Sequence, residues 1–253
     1  MRRAALALVV VAAACSSKPA GRSVRVAAAA DLARAFVELA QDFEAKTGIV
    51  ASVDFGSSGL LAKQIEQGAP YFLFAAANKE FVDQVVKAGR CDGATARPYA
   101  RGRIVVWTRT GIAAPMKLAD LADPRFKKIA IANPEHAPYG KAAQQALTAT
   151  GLWSQLSERI IFGENVQATM TYAKDGQVDA AIVALSLAVV TDGGAFLQID
   201  PTLHDPLDQT LVVCGNGEES DAARQLADYI DSRDGREIMT RYGFLLPKEA
   251  MPR

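Results

Sequence analysis

From residue 23 onward, short apolar runs alternate with segments whose apolar positions recur every three or four residues, which predicts strands alternating with helices. Ser23 to Ala29 reads as the first strand. Leu32, Phe36, Leu39 and Phe43 then keep helical spacing until Gly48 stops the helix. Ala51, Val53 and Phe55 fall on alternate positions of a second strand, a Gly-Ser-Ser-Gly turn follows, and Leu61 and Ile65 mark the next helix. Tyr71 to Ala77 reads as a third strand. A second set begins with a strand from Arg103 to Trp107 and continues with Lys128 to Ala132, a helix near 140–149, and Ile160 to Phe162. It closes with a helix near 166–174 and Ala180 to Ala184. Thr210 to Cys214 is a last strand before helices near 220–231 and 235–242. Such alternation predicts an α/β protein with mostly parallel sheets.

No linker rich in Pro, Gly and Ser divides the chain between these sets, and no internal repeat stands out. One arrangement that fits is two lobes between which the chain passes twice, near residues 103 and 210. Lobe 1 would then be discontinuous, 23–102 plus 211–253, and lobe 2 would be 103–210.

Before residue 23 the pattern changes. Arg2 and Arg3 precede an apolar run from Ala4 to Val11, then Ala12-Ala13-Ala14-Cys15. The run is shorter than the roughly 20 residues a membrane-spanning helix needs, and small residues before a cysteine resemble a lipobox. Residues 1–22 are therefore expected to be a lipoprotein signal and tether, with Cys15 lipidated; the alternative is an ordinary secretory signal. The expected location is the periplasm or the cell surface. Setting Cys15 aside leaves Cys91 and Cys214 in an oxidising compartment. A bridge between them and two separately buried thiols both remain open.

The 253 residues carry 28 Lys plus Arg and 28 Asp plus Glu, a formal net charge of zero. With no basic block, nucleic acid is not an expected partner, and any anion must be held locally. Enzymatic readings find little support. There is no phosphate-binding Gly-x-x-x-x-Gly-Lys loop, no Gly-x-Gly-x-x-Gly after a strand, and Gly56-Ser57-Ser58-Gly59 lacks the spacing of a nucleophile elbow. His136 and His204 are the only histidines, and neither has metal-ligand spacing. No catalytic residue, cofactor or metal site is expected.

Four places where a strand runs into a helix start carry small or hydroxyl-bearing residues: Ala30-Asp31, Ser57-Ser58-Gly59, Pro138-Tyr139-Gly140 and Asn165-Val166. Amides at a helix start lack intrahelical partners and carry the positive end of the dipole, so they can hold an oxyanion without Lys or Arg. Ser, Asp and Asn at such places also serve as ordinary N-caps. The convergence of four turns is what points to anion capture.

Several motifs carry a resemblance: Ala27-Ala28-Ala29-Ala30-Asp31-Leu32, Phe55-Gly56-Ser57-Ser58-Gly59 with Gln64-Ile65 after it, and Gly68-Ala69-Pro70. To these add Asn133-Pro134-Glu135-His136-Ala137-Pro138-Tyr139-Gly140 and Arg241-Tyr242-Gly243-Phe244. On these the chain resembles the periplasmic molybdate-binding proteins across nearly all of its mature length. The resemblance implies a type II periplasmic binding protein fold, two α/β lobes joined by two crossover strands. It also implies an oxyanion, molybdate or tungstate, in the cleft, and delivery by a monomer to the membrane permease of an ABC importer. Carried over residue by residue, it implies a hydroxyl donor at Ser58 and a backbone donor at Val166. It further implies a backbone or hydroxyl donor at Tyr139, a backbone donor at Ala77, and a first turn at Ala30 and Asp31.

Three positions depart from the family. Phe72 stands where relatives commonly have Asp or Asn, Ala184 where one branch has a ligand-contacting Tyr, and Asp31 where relatives place a neutral residue. A carboxylate facing a dianion repels it and competes for its donors. Asp31 can act as an N-cap with its carboxylate turned away, which is the expected reading; it can be protonated by the desolvated site; or it can accept a proton from the ligand. The last would select a protonated oxyanion such as phosphate, the alternative function.

Overall fold

The computed structural model describes residues 22–247; Cys15 and its tether lie outside the described residues. Ten strands form two sheets of five. The first unit runs β1 (Ser23–Ala29), α1 (Ala35–Thr47), β2 (Val50–Gly56), α2 (Ser58–Glu66), β3 (Leu73–Ala76), α3 (Lys79–Lys87) and β4 (Arg97–Gly102). The second runs β5 (Ile104–Arg109), β6 (Ile129–Ala132), α4 (Pro138–Ala149), α5 (Trp153–Leu156), β7 (Ile160–Gly163), α6 (Val166–Lys174), β8 (Ala180–Ala184), α7 (Leu185–Ala188) and β9 (Gly194–Gln198). The chain then returns as β10 (Leu207–Val213), α8 (Glu218–Asp231) and α9 (Arg233–Arg241).

The strand orders are β2-β1-β3-β10-β4 and β7-β6-β8-β5-β9. In each, three strands run parallel and the fourth runs antiparallel to its two neighbours. The fourth strand is in each case the one the chain makes directly after crossing from the other sheet. This is the two-lobed α/β architecture expected from the alternation of elements.

The strands at the centre of each sheet are wholly apolar: β3 reads Leu-Phe-Ala-Ala and β8 reads Ala-Ala-Ile-Val-Ala, and every residue of both is buried. That composition is what a strand covered by helices on both faces requires. Three boundaries differ from the sequence reading. Ala30–Leu32 forms a 3₁₀ turn, so α1 begins only at Ala35. The strand Arg97–Gly102 has charges, Pro and Gly that hide it, which suits its place at a sheet edge. The second crossing falls between Gln198 and Leu207, not at 210, because β10 starts at Leu207 and its next two residues are the polar pair Asp208-Gln209, of which Gln209 is buried. Cys91 and Cys214 are bonded to each other, joining the segment after α3 to the end of β10 across a separation of 123 residues.

Candidate functional site

Four chain turns meet at one crevice between the two sheets. From the first lobe come the turn after β1 and the start of α2; from the second come the starts of α4 and α6. Ala30, Asp31, Ser58, Ala77, Tyr139 and Val166 all line it, with Ser57, Asn165 and Pro138 among the other lining residues. No Lys or Arg is in the lining. The space is small, with about 200 Å³ free of atoms. Pockets for drug-sized organic ligands run to roughly 300–1,000 Å³, so the crevice is too small for one.

Local sequence explains which donors remain available. At α6 the Asn165 side chain caps the helix by accepting from the amides of Gln167 and Ala168 at 3.0 and 2.9 Å. Val166, the first helical residue, lines the crevice, and the Asn165 side chain does not take its amide. At α4, Pro138 occupies the first helical position, where its missing N–H removes no helix bond. The next amide is that of Tyr139. At α2, Ser57 is the N-cap, and Ser58 puts its hydroxyl into the crevice while buried to 1 % exposure. The Ala77 amide donates to Ser58 Oγ at 3.0 Å. With that lone pair taken, the Ser58 hydroxyl is oriented to donate, and Ala77 serves the site through Ser58.

The first lobe grips the second around His136. The Ser57 hydroxyl donates to the His136 carbonyl and lies 2.9 Å from His136 Nδ1. The Gly59 amide donates to the same carbonyl at 2.9 Å. A side chain at Gly59 does not fit: a Cβ there would lie 2.7 Å from the His136 carbonyl oxygen and 2.8 Å from the Phe81 ring. A further bond runs from the Ser186 hydroxyl to the Asp31 carbonyl at 2.8 Å.

Asp31 is the centre of a buried network that the sequence did not reveal. Its carboxylate does not cap a helix; the turn it belongs to begins at Ala29 and has no side-chain cap. The expected N-cap reading is thus corrected: the chain enters a 3₁₀ turn there, and the side chain points inward. Oδ2 accepts from the Tyr139 hydroxyl at 2.9 Å and from Gln209 Nε2. The Tyr99 hydroxyl donates to Gln209 Oε1 at 2.7 Å, which turns the Gln209 amide nitrogen toward Asp31. Oδ1 is buried and has no hydrogen-bond partner. Burial pushes the Asp31 carboxyl up to about 6, against the opposing pull of Gln209, Tyr139 and its own backbone amide. Burial likewise holds the Tyr139 and Tyr99 hydroxyls well above the usual tyrosine range, with Asp31 adding to it, so both stay protonated donors. The Tyr139 hydroxyl is therefore committed to Asp31. Its ring tip also lies against Gly102, where a Cβ would come within 2.0 Å of Oη.

The other two departures lie outside the crevice. Ala184 ends β8, pairs with Ile104 and starts the short helix α7, and Phe72 packs partly buried ahead of β3. Neither is in the lining. Gln209, Tyr99, Ser186 and His136 carry site geometry without having been singled out for it from sequence.

Two α/β lobes meeting at a small crevice lined by helix starts define a solute-binding protein. Residues 24–245 match the family described as bacterial extracellular solute-binding protein. The molybdate-binding protein of Azotobacter vinelandii is 31% identical over 235 residues, 91% of this chain and 92% of that one. A solved structure of a periplasmic molybdate-binding protein from the same organism superposes with a TM-score of 0.83 at 28% identity, covering 88% of this chain and 99% of the other. A Bacillus subtilis protein described as a candidate ABC transporter substrate-binding lipoprotein is 27% identical over 250 residues, 95% of each chain. The chain belongs to the bacterial extracellular solute-binding protein family, in its periplasmic molybdate-binding branch. Members of that family bind and deliver solutes outside the cytoplasm and are not enzymes.

Proposed function

We propose that this protein captures molybdate or tungstate between its lobes and hands it to the permease of an ABC importer. The observation that carries the reading is the crevice itself, small, without Lys or Arg in its lining, and bordered by the starts of α2, α4 and α6. Ser58 donates its hydroxyl, and Tyr139 and Val166 donate amides from the second lobe. The backbone of Ala30 and Asp31 closes the first-lobe side, and Ala77 fixes Ser58. A dianion held this way is stabilised by charge-assisted hydrogen bonds in a space from which water is excluded. The lobes, 23–102 with 207 onward and 103–206, swing at the two crossings to admit and release it.

Calorimetry with molybdate, tungstate, sulfate and phosphate tests the assignment. Binding of molybdate and tungstate in preference to sulfate is the expected result, and binding of phosphate alone would overturn it. The phosphate alternative has no support from the relatives, whose names specify molybdate.

The anchor belongs to the same reading. Cys15 carries the lipid, and the protein works as a monomer tethered at the periplasmic or outer cell surface; the Bacillus subtilis relative is itself described as a lipoprotein. Mass spectrometry of the amino terminus should find a lipid-modified Cys15. A Cys15→Ala chain should partition into the soluble fraction; an unlipidated mature terminus at another residue would refute the anchor.

A further inference from the structure

Asp31 is the only residue in the crevice lining with an acidic or basic side chain, and half of its carboxylate is unaccounted for. Oδ2 accepts from Tyr139 and Gln209, while Oδ1 is buried without a donor. A fully deprotonated tetrahedral dianion offers acceptors only. Beside an ionised Asp31, two sets of acceptor oxygens would face each other with no hydrogen between them and no cation in the lining to offset the charge. A single proton removes the conflict. Oδ2, already receiving two bonds, is the poor place for it; Oδ1 is the open one.

We propose that Asp31 meets the oxyanion as a neutral carboxylic acid and donates to it from Oδ1, so that each dianion captured brings in one proton from solvent and each one released returns it. The inference rests on the molybdate reading and deepens it. In the step an O–H bond forms on Oδ1 from a solvent proton and a hydrogen bond forms to a ligand oxygen; no bond of the ligand breaks. Burial has already brought the carboxyl to about 6, and an adjacent dianion moves it further in the same direction.

The groups around Asp31 leave it to titrate by itself. Tyr139 on α4 and Tyr99 on β4 stay protonated. Of the elements packed against its turn, α7 brings no charged residue, α6 brings Lys174 at its far end, and β2 brings Asp54, which pairs with Arg25 at the surface. Arg34 on the adjoining turn is exposed. Arg103, at the first crossing, donates to the Gly243 carbonyl at 2.7 Å, and Lys141 on α4 faces Glu80 at 3.4 Å.

The sign follows from linkage. Above about pH 6 the ligand-free carboxyl is ionised, so binding must take up a proton and the Kd rises about tenfold per pH unit until the pH passes the higher pKa of the complex. Calorimetry of the full chain with molybdate and with tungstate, between about pH 6.5 and 8.5 in two buffers of different ionisation heat, reads both quantities. The expected result is uptake approaching one proton per ion at the alkaline end, with that slope in Kd. Asp31→Asn, which keeps the shape and offers an N–H in place of the O–H, should bind with a flat profile and no uptake. Tight binding by the natural protein with a flat profile and no uptake would overturn this inference alone, as would uptake unchanged in Asp31→Asn. Lack of binding to either ion at every pH would overturn the molybdate reading and this inference with it.

Discussion

On the first-lobe rim of the crevice, side chains set the chemistry: Ser58 presents a hydroxyl fixed by the Ala77 amide, and Asp31 presents a buried carboxyl oxygen. On the second-lobe rim the offer is backbone. Asn165 and Pro138 organise the starts of α6 and α4, where Val166 and Tyr139 line the crevice and are proposed to offer their amides. Amides at helix starts attract any small anion, whatever its protonation state. A hydroxyl and a carboxyl discriminate, because each donates in only some geometries and the carboxyl in only one charge state. The two rims thus divide the work, the second lobe supplying general attraction and the first supplying selection.

Four experiments test that division. Gly59→Ala attacks the contact between the rims. A Cβ placed 2.7 Å from the His136 carbonyl oxygen holds the lobes apart, and affinity should fall by on the order of a hundredfold or more, with scattering showing a more open ligand-bound form. An unchanged affinity would mean that the rims need not meet.

Asp31→Asn tests the first rim through stability. The folded carboxyl sits at about 6 against an ordinary 3.8, so folding favours the protonated acid. Its contribution is intact below about pH 4, is lost as pH rises toward 6, and leaves a penalty of about 3 kcal/mol above that. The substitution should therefore stabilise the ligand-free protein by up to that amount at pH 7–8 and leave it unaltered at the acidic end, as read from denaturant titrations at several pH values.

Ser58→Ala removes one charge-assisted donor. Affinity should drop by about 10- to 100-fold, equally at each pH, because the hydroxyl does not titrate in this range. A pH-dependent loss would tie Ser58 to Asp31 and blur the distinction between selecting groups. Asn165→Ala, on the second rim, removes a cap worth about 1 kcal/mol. Its melt should shift modestly, and affinity should weaken alike for molybdate, tungstate and sulfate; a change in their order would show selection on that rim too.

The alternation of strands and helices and the four turns were readable in the sequence because each has a local signature. Ser23 to Ala29 and the helix from Val166 to Lys174 coincide with the structure. The strands Arg97–Gly102 and Gly194–Gln198 escaped, since both lie at sheet edges where polar and small residues replace the apolar run. The Asp31 network escaped for a different reason. Its partners Tyr139 and Gln209 lie 108 and 178 residues away in sequence, and a polar residue inside a strand carries no mark of what it will face. The six lining residues came from family likeness laid over the turns. Likeness could not foresee that Asp31 would turn inward, because the resemblance implies a neutral residue there.

The strand order has a mechanical corollary. In each sheet the chain departs along a rim strand, β4 or β9, and arrives in the other sheet as the strand just inside its rim, β5 or β10. Both links therefore sit on the same flank of their respective sheets, like paired straps along one margin of a folded board. Torque applied there enters each half through a paired rim and inner strand, β4 with β10 or β9 with β5, so opening should be a rotation about a single line, with the parallel strands riding along undeformed.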